Sequence, residues 1–139
     1  MRGVYVLVVQ LDRPAEVEVG RLGMLRFTSG TYAYVGSARR GIEARVRRHL
    51  RKEKRLRWHI DYLLAHPAAR VTAVYVRETP KRLECEVADA LAAKCRVVPG
   101  FGSSDCRCKG HLFRCAPSRL CELFSQPGFV KLELPGLRE

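Results

Sequence analysis

The segment YVGSARRGIEARVRRHL, residues 34–50, contains the change of hydrophobic period that decides the fold. It starts at the end of an alternating run, TYAYVG, which predicts a strand with Tyr32 and Tyr34 on one face. From Ile42 onward the apolar residues recur at helical spacing, and arginines occupy many of the positions between them. The segment therefore predicts a strand that leads through a short turn into a basic helix.

The remaining sequence predicts strands and helices on both sides of this segment. Strands are predicted at residues 3–11, 70–78 and 128–134, and a hairpin from Glu16 to Phe27. Helices are predicted at residues 56–65, at 80–94 with Pro80 near the first turn, and at 117–126, while residues 97–115 are loop-rich. This order predicts the α+β class: a small, mostly antiparallel central sheet flanked by helices, with the hairpin inserted between its first two motif strands.

The length and composition are those of one globular domain, with 139 residues, 47% of them hydrophobic and 29% charged. We predict a single domain over residues 1–139, with a core of about residues 1–95 and a C-terminal extension of about residues 96–139. No apolar run is long enough to cross a bilayer, and the N-terminus lacks the pattern of a signal peptide. These features predict a cytoplasmic protein that is not inserted in a membrane.

The charge is strongly positive and unevenly distributed. The formal net charge is +12, and ten Lys or Arg residues lie between Gly36 and Arg57 against only Glu43 and Glu53. Such an excess attracts polyanions, which makes nucleic acid the first expected partner, ahead of an anionic membrane surface or a merely solvated basic face. The candidate phosphate-binding residues are Arg39, Arg40, Arg47, Arg48 and Arg51.

All six cysteines lie in the second half of the chain, at positions 85, 95, 106, 108, 115 and 121. Without a secretion signal, thiols or metal ligands are expected rather than a disulfide framework. Cys106, Cys108 and His111 are zinc-ligand types at close spacing, and Cys85 could come near them. A disulfide or inert thiols are together favoured over structural zinc, because Cys-x-Cys is tighter than the usual ligand pairing.

Two tripeptides, GVY at residues 3–5 and YVG at residues 34–36, resemble the paired tripeptides of the GIY-YIG nucleases. Arg45 lies nine residues after Gly36, where that family's helix carries an arginine, and His49 follows four residues later. The segment LECEVADAL, residues 83–91, is similar to the family's acidic helix. Longer segments, such as RWHIDYLL and FGSSDCRCKGHLF, resemble a small stand-alone branch found in archaea and bacteria.

The resemblance implies an endonuclease that depends on Mg²⁺ (or Mn²⁺) and hydrolyses DNA, directed by structure or damage as in DNA repair rather than by sequence. The alternatives are an RNA-directed nuclease and a basic nucleic-acid-binding module without catalysis. The chemistry needs the same residue types: a carboxylate to hold the metal, a base for the attacking water and a clamp for the phosphate. These roles are assigned to Glu84, to Tyr5 or Tyr34 or His49, and to Arg45.

Each of these residues also has a structural interpretation. The tyrosines could be ordinary strand aromatics, and His49 could be a histidine at the edge of the core. Glu84 and Glu86 lie about 200° apart on a helix, so at most one faces a given site. Glu84 is chosen because it shares a face with Val87, Ala88 and Leu91 and so points toward the sheet.

Overall fold

The computed structural model describes residues 1–103, 106–125 and 128–134. Its elements follow the chain as β1 (Gly3–Leu11), β2 (Ala15–Glu18), β3 (Met24–Phe27), β4 (Gly30–Ala38), α1 (Ile42–Leu50), α2 (His59–Leu64), β5 (Ala69–Glu78), α3 (Glu84–Ala92), β6 (Arg96–Val97), β7 (Leu112–Arg114), α4 (Pro117–Phe124) and β8 (Val130–Lys131). Six strands form an antiparallel sheet in the order β6-β7-β4-β1-β5-β8, and β2 pairs with β3. The predicted α+β class is confirmed.

The central strand β1 is apolar along its length because helices cover both faces of the sheet. Its nine residues pair with β4 on one side and with β5 on the other. Tyr5, Leu7 and Val9 pack in the core formed with α1, α2 and the hairpin. Val4 and Val6 pack in a second core formed with α3 and α4. We call the side of the sheet that carries Tyr5 the first face.

The hairpin of β2 and β3 accounts for the long separation of the two tripeptides. Ala15 pairs with Phe27 in this hairpin, and both side chains are buried in the core on the first face. Tyr5 and Tyr34 are 29 positions apart in the sequence. Their strands are nevertheless direct neighbours, because the inserted hairpin folds onto the sheet instead of separating β1 from β4.

Two helices begin later than the sequence predicts. The helix predicted from residue 56 starts at His59, because the Asp61 carboxylate accepts the N–H groups of Arg57 and Trp58 at 2.9 Å each. The helix predicted to contain Pro80 starts at Glu84, because the chain before it forms a turn in which Thr79 Oγ1 accepts the N–H of Lys81. No helix in the described ranges is both long and apolar enough to cross a membrane.

The C-terminal part of the chain is built into the sheet. The loop-rich segment contains β7, which pairs with β4, and the predicted strand 128–134 is shortened to Val130–Lys131. Residue 126 of the predicted last helix and residues 135–139 of the predicted extension lie outside the described residues.

Cys95 and Cys115 form a disulfide, so the prediction of thiols or metal ligands is wrong for this pair. The bond joins the segment after α3 to the end of β7.

Candidate active site

Tyr5 and Tyr34 lie on neighbouring central strands and pack in the core on the same face of the sheet. In the register of β1 and β4, Tyr5 is opposite Gly36 and Leu7 is opposite Tyr34. Glycine is required at position 36, because a Cβ there would lie 2.5 Å from the Tyr5 ring. The two tripeptides therefore form one structural unit, in which the glycine of the second makes room for the tyrosine of the first.

A cavity of about 250 Å³ opens beside these tyrosines, and we call it the tyrosine cavity. Its walls come from β1, β4, α1, α3 and the first residue of α2, and from the segments before α2 and β7. The lining residues are Tyr5, Tyr34, Val35, Gly36, Ser37, Arg45, Arg57, Trp58, His59, Glu84, Gly102 and His111. The fold thus brings together four of the five predicted catalytic residues, and the fifth, His49, does not line the cavity.

Glu84 enters the tyrosine cavity from the first turn of α3. Among the described residues that line the cavity, it is the only carboxylate. Ala88 and Leu91 of the same helix are buried, as the face assigned to Glu84 requires. Val87, assigned to the same face, is only half-buried and lines a hollow together with Glu86. Glu86 is exposed and lines a different hollow, formed with apolar residues of α3 and α4. The catalytic role of Glu84 stays a prediction.

His49 lies behind Tyr5 rather than in the cavity. The Tyr5 hydroxyl and His49 Nε2 are 2.8 Å apart, and only 2% of His49 is exposed. Burial, helped by the charge of Lys54, lowers the pKa of His49 to about 3, so the ring is neutral at physiological pH. Within the part of the chain that the structure describes, Nδ1 of this ring has no hydrogen-bond partner. His49 therefore contacts the Tyr5 hydroxyl without lining the cavity, and its catalytic role stays a prediction.

Both tyrosines are protonated phenols at neutral pH. Burial raises the pKa of Tyr5 well above its ordinary value, although the neighbouring Arg45 opposes this shift. Burial also raises the pKa of Tyr34, and the proximity of Tyr5 and Glu84 adds to the effect. Neither hydroxyl is therefore a free phenolate in the resting protein. Tyr5 differs from Tyr34 in having a neutral histidine within hydrogen-bond distance.

Arg45 is held at the cavity by contacts that leave its guanidinium partly accessible. Its Nη1 donates to the Ser37 carbonyl oxygen at 3.2 Å, and the guanidinium lies 4.8 Å from the centre of the Trp58 ring. Arg57 contacts the same ring at 5.4 Å. Trp58 is half-buried and orients these cations beside the cavity.

His59, which lies where the homing-endonuclease branch of the family that the sequence resembles often has a second histidine, also lines the cavity. Its Nδ1 accepts the N–H of Gly102 at 2.8 Å, which places the ring proton of the neutral form on Nε2. Partial burial lowers the pKa of His59. The neutral ring can therefore offer Nε2–H as a donor to an anion in the tyrosine cavity.

Arg48, a candidate phosphate-binding residue, forms an ion pair with a buried aspartate of the same chain. Its guanidinium donates to both oxygens of Asp61, at 3.0 Å each, and the Asp61 side chain is fully buried. Although burial raises the pKa of Asp61, Arg48 and two backbone N–H groups hold it below its usual value. The other candidate phosphate-binding residues, Arg39, Arg40, Arg47 and Arg51, are exposed.

Asp61→Ala should lower the free energy of unfolding by about 3 kcal/mol, because it leaves Arg48 and two backbone N–H groups without their acceptor. Chemical denaturation at neutral pH measures this loss. A carboxyl pKa below its usual value stabilises the fold above that usual value, and this stabilisation disappears as the pH falls through the lowered pKa. The difference between wild type and variant should therefore shrink in acid.

Asp12→Ala is the matched control, because Asp12 pairs with Arg70 at the surface and both side chains are about half exposed. Its expected cost is below about 0.5 kcal/mol. Equal stability of the two variants would contradict the structural role of Asp61.

A second groove adjoins the tyrosine cavity and shares Ser37 and Glu84 with it. Four cationic residues line this groove, and we call it the basic groove: Arg2, Arg39, Lys81 and Arg82. Only Arg39 among them is a phosphate-binding candidate from the sequence. The others lie outside the basic segment of residues 36–57, and only the pairing of β1 with β4 and β5 brings them together.

The predicted ligand types Cys106, Cys108 and His111 come together at Cys85, the neighbour of Glu84 in the sequence. We call these four residues the cysteine cluster. Their ligand atoms all lie within 4.8 Å of one another. Cys121 on α4 is a free, exposed cysteine outside this cluster.

Comparison with known proteins gives one relationship. The family model described as domain of unknown function DUF123 matches residues 4–127. No curated protein and no solved structure matches the chain. Because the match covers most of the chain, including every residue of the tyrosine cavity and of the cysteine cluster, the chain belongs to the DUF123 family.

Proposed function

We propose that the protein is a cytoplasmic, Mg²⁺-dependent endonuclease that hydrolyses DNA phosphodiester bonds in the tyrosine cavity. One observation carries this proposal: the cavity unites Tyr5, Tyr34, Arg45 and Glu84, which come from four separate elements. A protein that only binds nucleic acid needs positive charge but does not need this combination. The same residues carry the resemblance to the GIY-YIG nucleases.

The cavity fits a magnesium ion that is held partly by the substrate. Mg²⁺ commonly binds one or two carboxylates and completes its octahedron with waters and phosphate oxygens. Glu84 is the single carboxylate available among the described lining residues, and Mn²⁺ would bind in the same way. When bound, the metal would neutralise charge that develops on the phosphate.

The contact with His49 makes Tyr5 the better candidate for general base. As water attacks the phosphorus, its proton passes to the Tyr5 oxygen while the Tyr5 hydroxyl proton passes to His49 Nε2. The bond from phosphorus to the 3′ oxygen breaks in the same step, and the leaving 3′ oxygen takes a proton from solvent water. Neither residue then has to be charged before the reaction begins. The low pKa of His49 makes it a temporary acceptor, which returns the proton through Tyr5. Tyr34 makes no side-chain hydrogen bond among the described residues, so its role is to line the cavity.

Arg45 and the basic groove provide the binding of the phosphate backbone. Arg45 stays charged and presents a planar fork to the non-bridging oxygens of the reacting phosphate. Because the basic groove shares Ser37 and Glu84 with the cavity, the neighbouring phosphates of the same strand would lie along it. These contacts are to the backbone, which supports recognition of DNA structure or damage rather than of base sequence.

Binding should weaken steeply with salt, because the four cations of the basic groove and Arg45 displace counterions from the phosphates. We expect the affinity for DNA to fall about five-hundredfold between about 50 mM and about 200 mM salt, because five neutralised phosphates give a slope of about −4.5. The double variant Lys81→Ala/Arg82→Ala should reduce the slope of log affinity against log salt by about two. Fluorescence anisotropy with labelled DNA measures both quantities.

The control with the same loss of charge is Arg26→Ala/Arg70→Ala, since each arginine pairs with an acid outside the groove. It should leave the slope nearly unchanged. A similar decrease in both double variants would mean that net charge, and not the basic groove, binds the backbone.

The function is tested by incubating the protein with single-stranded, nicked, flapped and duplex DNA and with matching RNA, with and without Mg²⁺. The proposal expects cleavage of at least one DNA substrate in the presence of Mg²⁺ only. Preferential cleavage of RNA would mean that the protein is an RNA-directed nuclease that uses the same residues. Tight binding without cleavage of any substrate would favour the binding module.

A further inference from the structure

The cysteine cluster joins two distant segments of the chain at one point beside the tyrosine cavity. Cys85 belongs to the first turn of α3, and Cys106, Cys108 and His111 belong to the segment that leads into β7. Cys106 Sγ and His111 Nε2 are 3.3 Å apart. Three sulfur atoms and one ring nitrogen therefore converge in a space that one metal ion could fill.

The orientation of His111 is the one that a metal ligand needs. Its Nδ1 lies 3.3 Å from the carbonyl oxygen of Val35, to which Nδ1–H can donate. The lone pair of the neutral ring is then on Nε2, which faces Cys106. Only 3% of His111 is exposed, so this orientation is fixed by the protein. Metal-binding histidines typically have their second nitrogen held by such a carbonyl.

We propose that Cys85, Cys106, Cys108 and His111 bind one structural Zn²⁺ ion. A Cys₃His set provides four tetrahedral ligands of the soft type that zinc prefers. With Zn–S bonds of about 2.3 Å, sulfur atoms around zinc lie about 3.8 Å apart. The four ligand atoms lie at most 4.8 Å apart, so binding zinc requires them to move only slightly closer together. Because protein ligands would fill all four positions, the site is structural rather than catalytic.

Zinc explains this cluster better than the disulfide or inert thiols favoured from the sequence. Cys95 and Cys115 already form a disulfide, and they are not part of the cluster. A disulfide within the cluster would use two of its three thiols and leave the third cysteine unpaired. Zn²⁺ instead takes all three as thiolates and releases their protons on binding.

The zinc site would also fix the position of Glu84, its neighbour in α3. The ion would tie the start of α3 to the segment before β7, and His111 would extend the connection to β4 through Val35. Cys85 and His111 thereby set the distance between Glu84 and the wall of the tyrosine cavity. This consequence rests on the proposed function, whereas the zinc site itself does not.

The test is metal analysis of protein purified without an affinity tag and without added zinc. About one equivalent of zinc is expected, and Co²⁺ replacing it should give the absorption bands of tetrahedral cobalt thiolate. Removing the zinc with a chelator should lower the melting temperature by about 10 °C or more, and adding zinc back should restore it. Metal-free wild-type protein whose melting temperature is indifferent to added zinc would overturn the proposal.

The matched variants are Cys108→Ser and Cys121→Ser, since Cys121 is a free cysteine outside the cluster. The first should lose the zinc and the second should keep it. If Cys108→Ser does not fold, thiol titration of the native wild type gives the same information: Cys121 should react at once, and three more thiols should react only after chelation. Four thiols reacting equally before chelation would also overturn the site. None of these measurements uses DNA, so an inactive protein that contains zinc would contradict only the proposed function.

Discussion

Glu84→Gln should reduce Mg²⁺-dependent DNA cleavage by about a thousandfold or more while the fold and DNA binding are retained. The substitution keeps the size of the side chain but removes the one carboxylate of the described cavity wall. The metal would lose its protein anchor, and charge developing on the phosphate would lose its stabilisation. DNA binding should be equal or tighter, because a negative charge leaves the phosphate path. Single-turnover cleavage and anisotropy measure the two effects separately.

Glu86→Gln is the control, since it makes the same change on the same helix two residues away. Glu86 is exposed and lies outside the tyrosine cavity. Its cleavage rate should stay within about twofold of wild type. Loss of activity in Glu86→Gln but not in Glu84→Gln would assign the metal to Glu86 and contradict a metal site at Glu84.

Arg45→Ala should lower the cleavage rate by about a hundredfold to a thousandfold, because it removes the fork that pairs with the reacting phosphate. Its effect on binding should be modest, since the four cations of the basic groove remain. Arg45→Lys should recover only part of the rate, because lysine keeps the charge but cannot form the bidentate contact. Titrating the DNA concentration separates the loss in rate from the loss in affinity.

Arg47→Ala is the corresponding control on α1. Arg47 is exposed and is absent from the lining of the tyrosine cavity. It should weaken binding slightly and leave the maximal cleavage rate intact. Equal losses in rate for Arg45→Ala and Arg47→Ala would show that the helix contributes only general positive charge.

The sequence predicts the central strands β1, β4 and β5 and the first helix well, because local pattern and tertiary environment agree there. The apolar run Gly3–Leu11 coincides with β1, and the change of period at Ile42 coincides with the start of α1. The starts of α2 and α3 are missed because side-chain contacts determine them. Asp61 caps α2 through a carboxylate that also binds Arg48, and no propensity shows that pairing.

The sequence predicts which residues belong to the candidate site better than it predicts how their side chains are arranged. The tripeptides and the acidic helix point to Tyr5, Tyr34 and Glu84, and these three do line one cavity. Helical spacing places His49 beside the core but cannot show that its ring is buried behind Tyr5. The cysteine cluster depends on Cys85, which is separated by about twenty residues from the other members and reaches them only through the packing of α3.

The most direct test of the central claim is the location of Mn²⁺ in a crystal of the wild-type protein grown with a 5′-phosphorylated DNA product. Diffraction at the manganese absorption edge separates this ion from zinc in the cysteine cluster. The predicted result is an anomalous peak in the tyrosine cavity, about 2.1 Å from a Glu84 carboxylate oxygen and next to a phosphate held by Arg45. Manganese bound elsewhere, with the DNA phosphate outside the cavity, would contradict it.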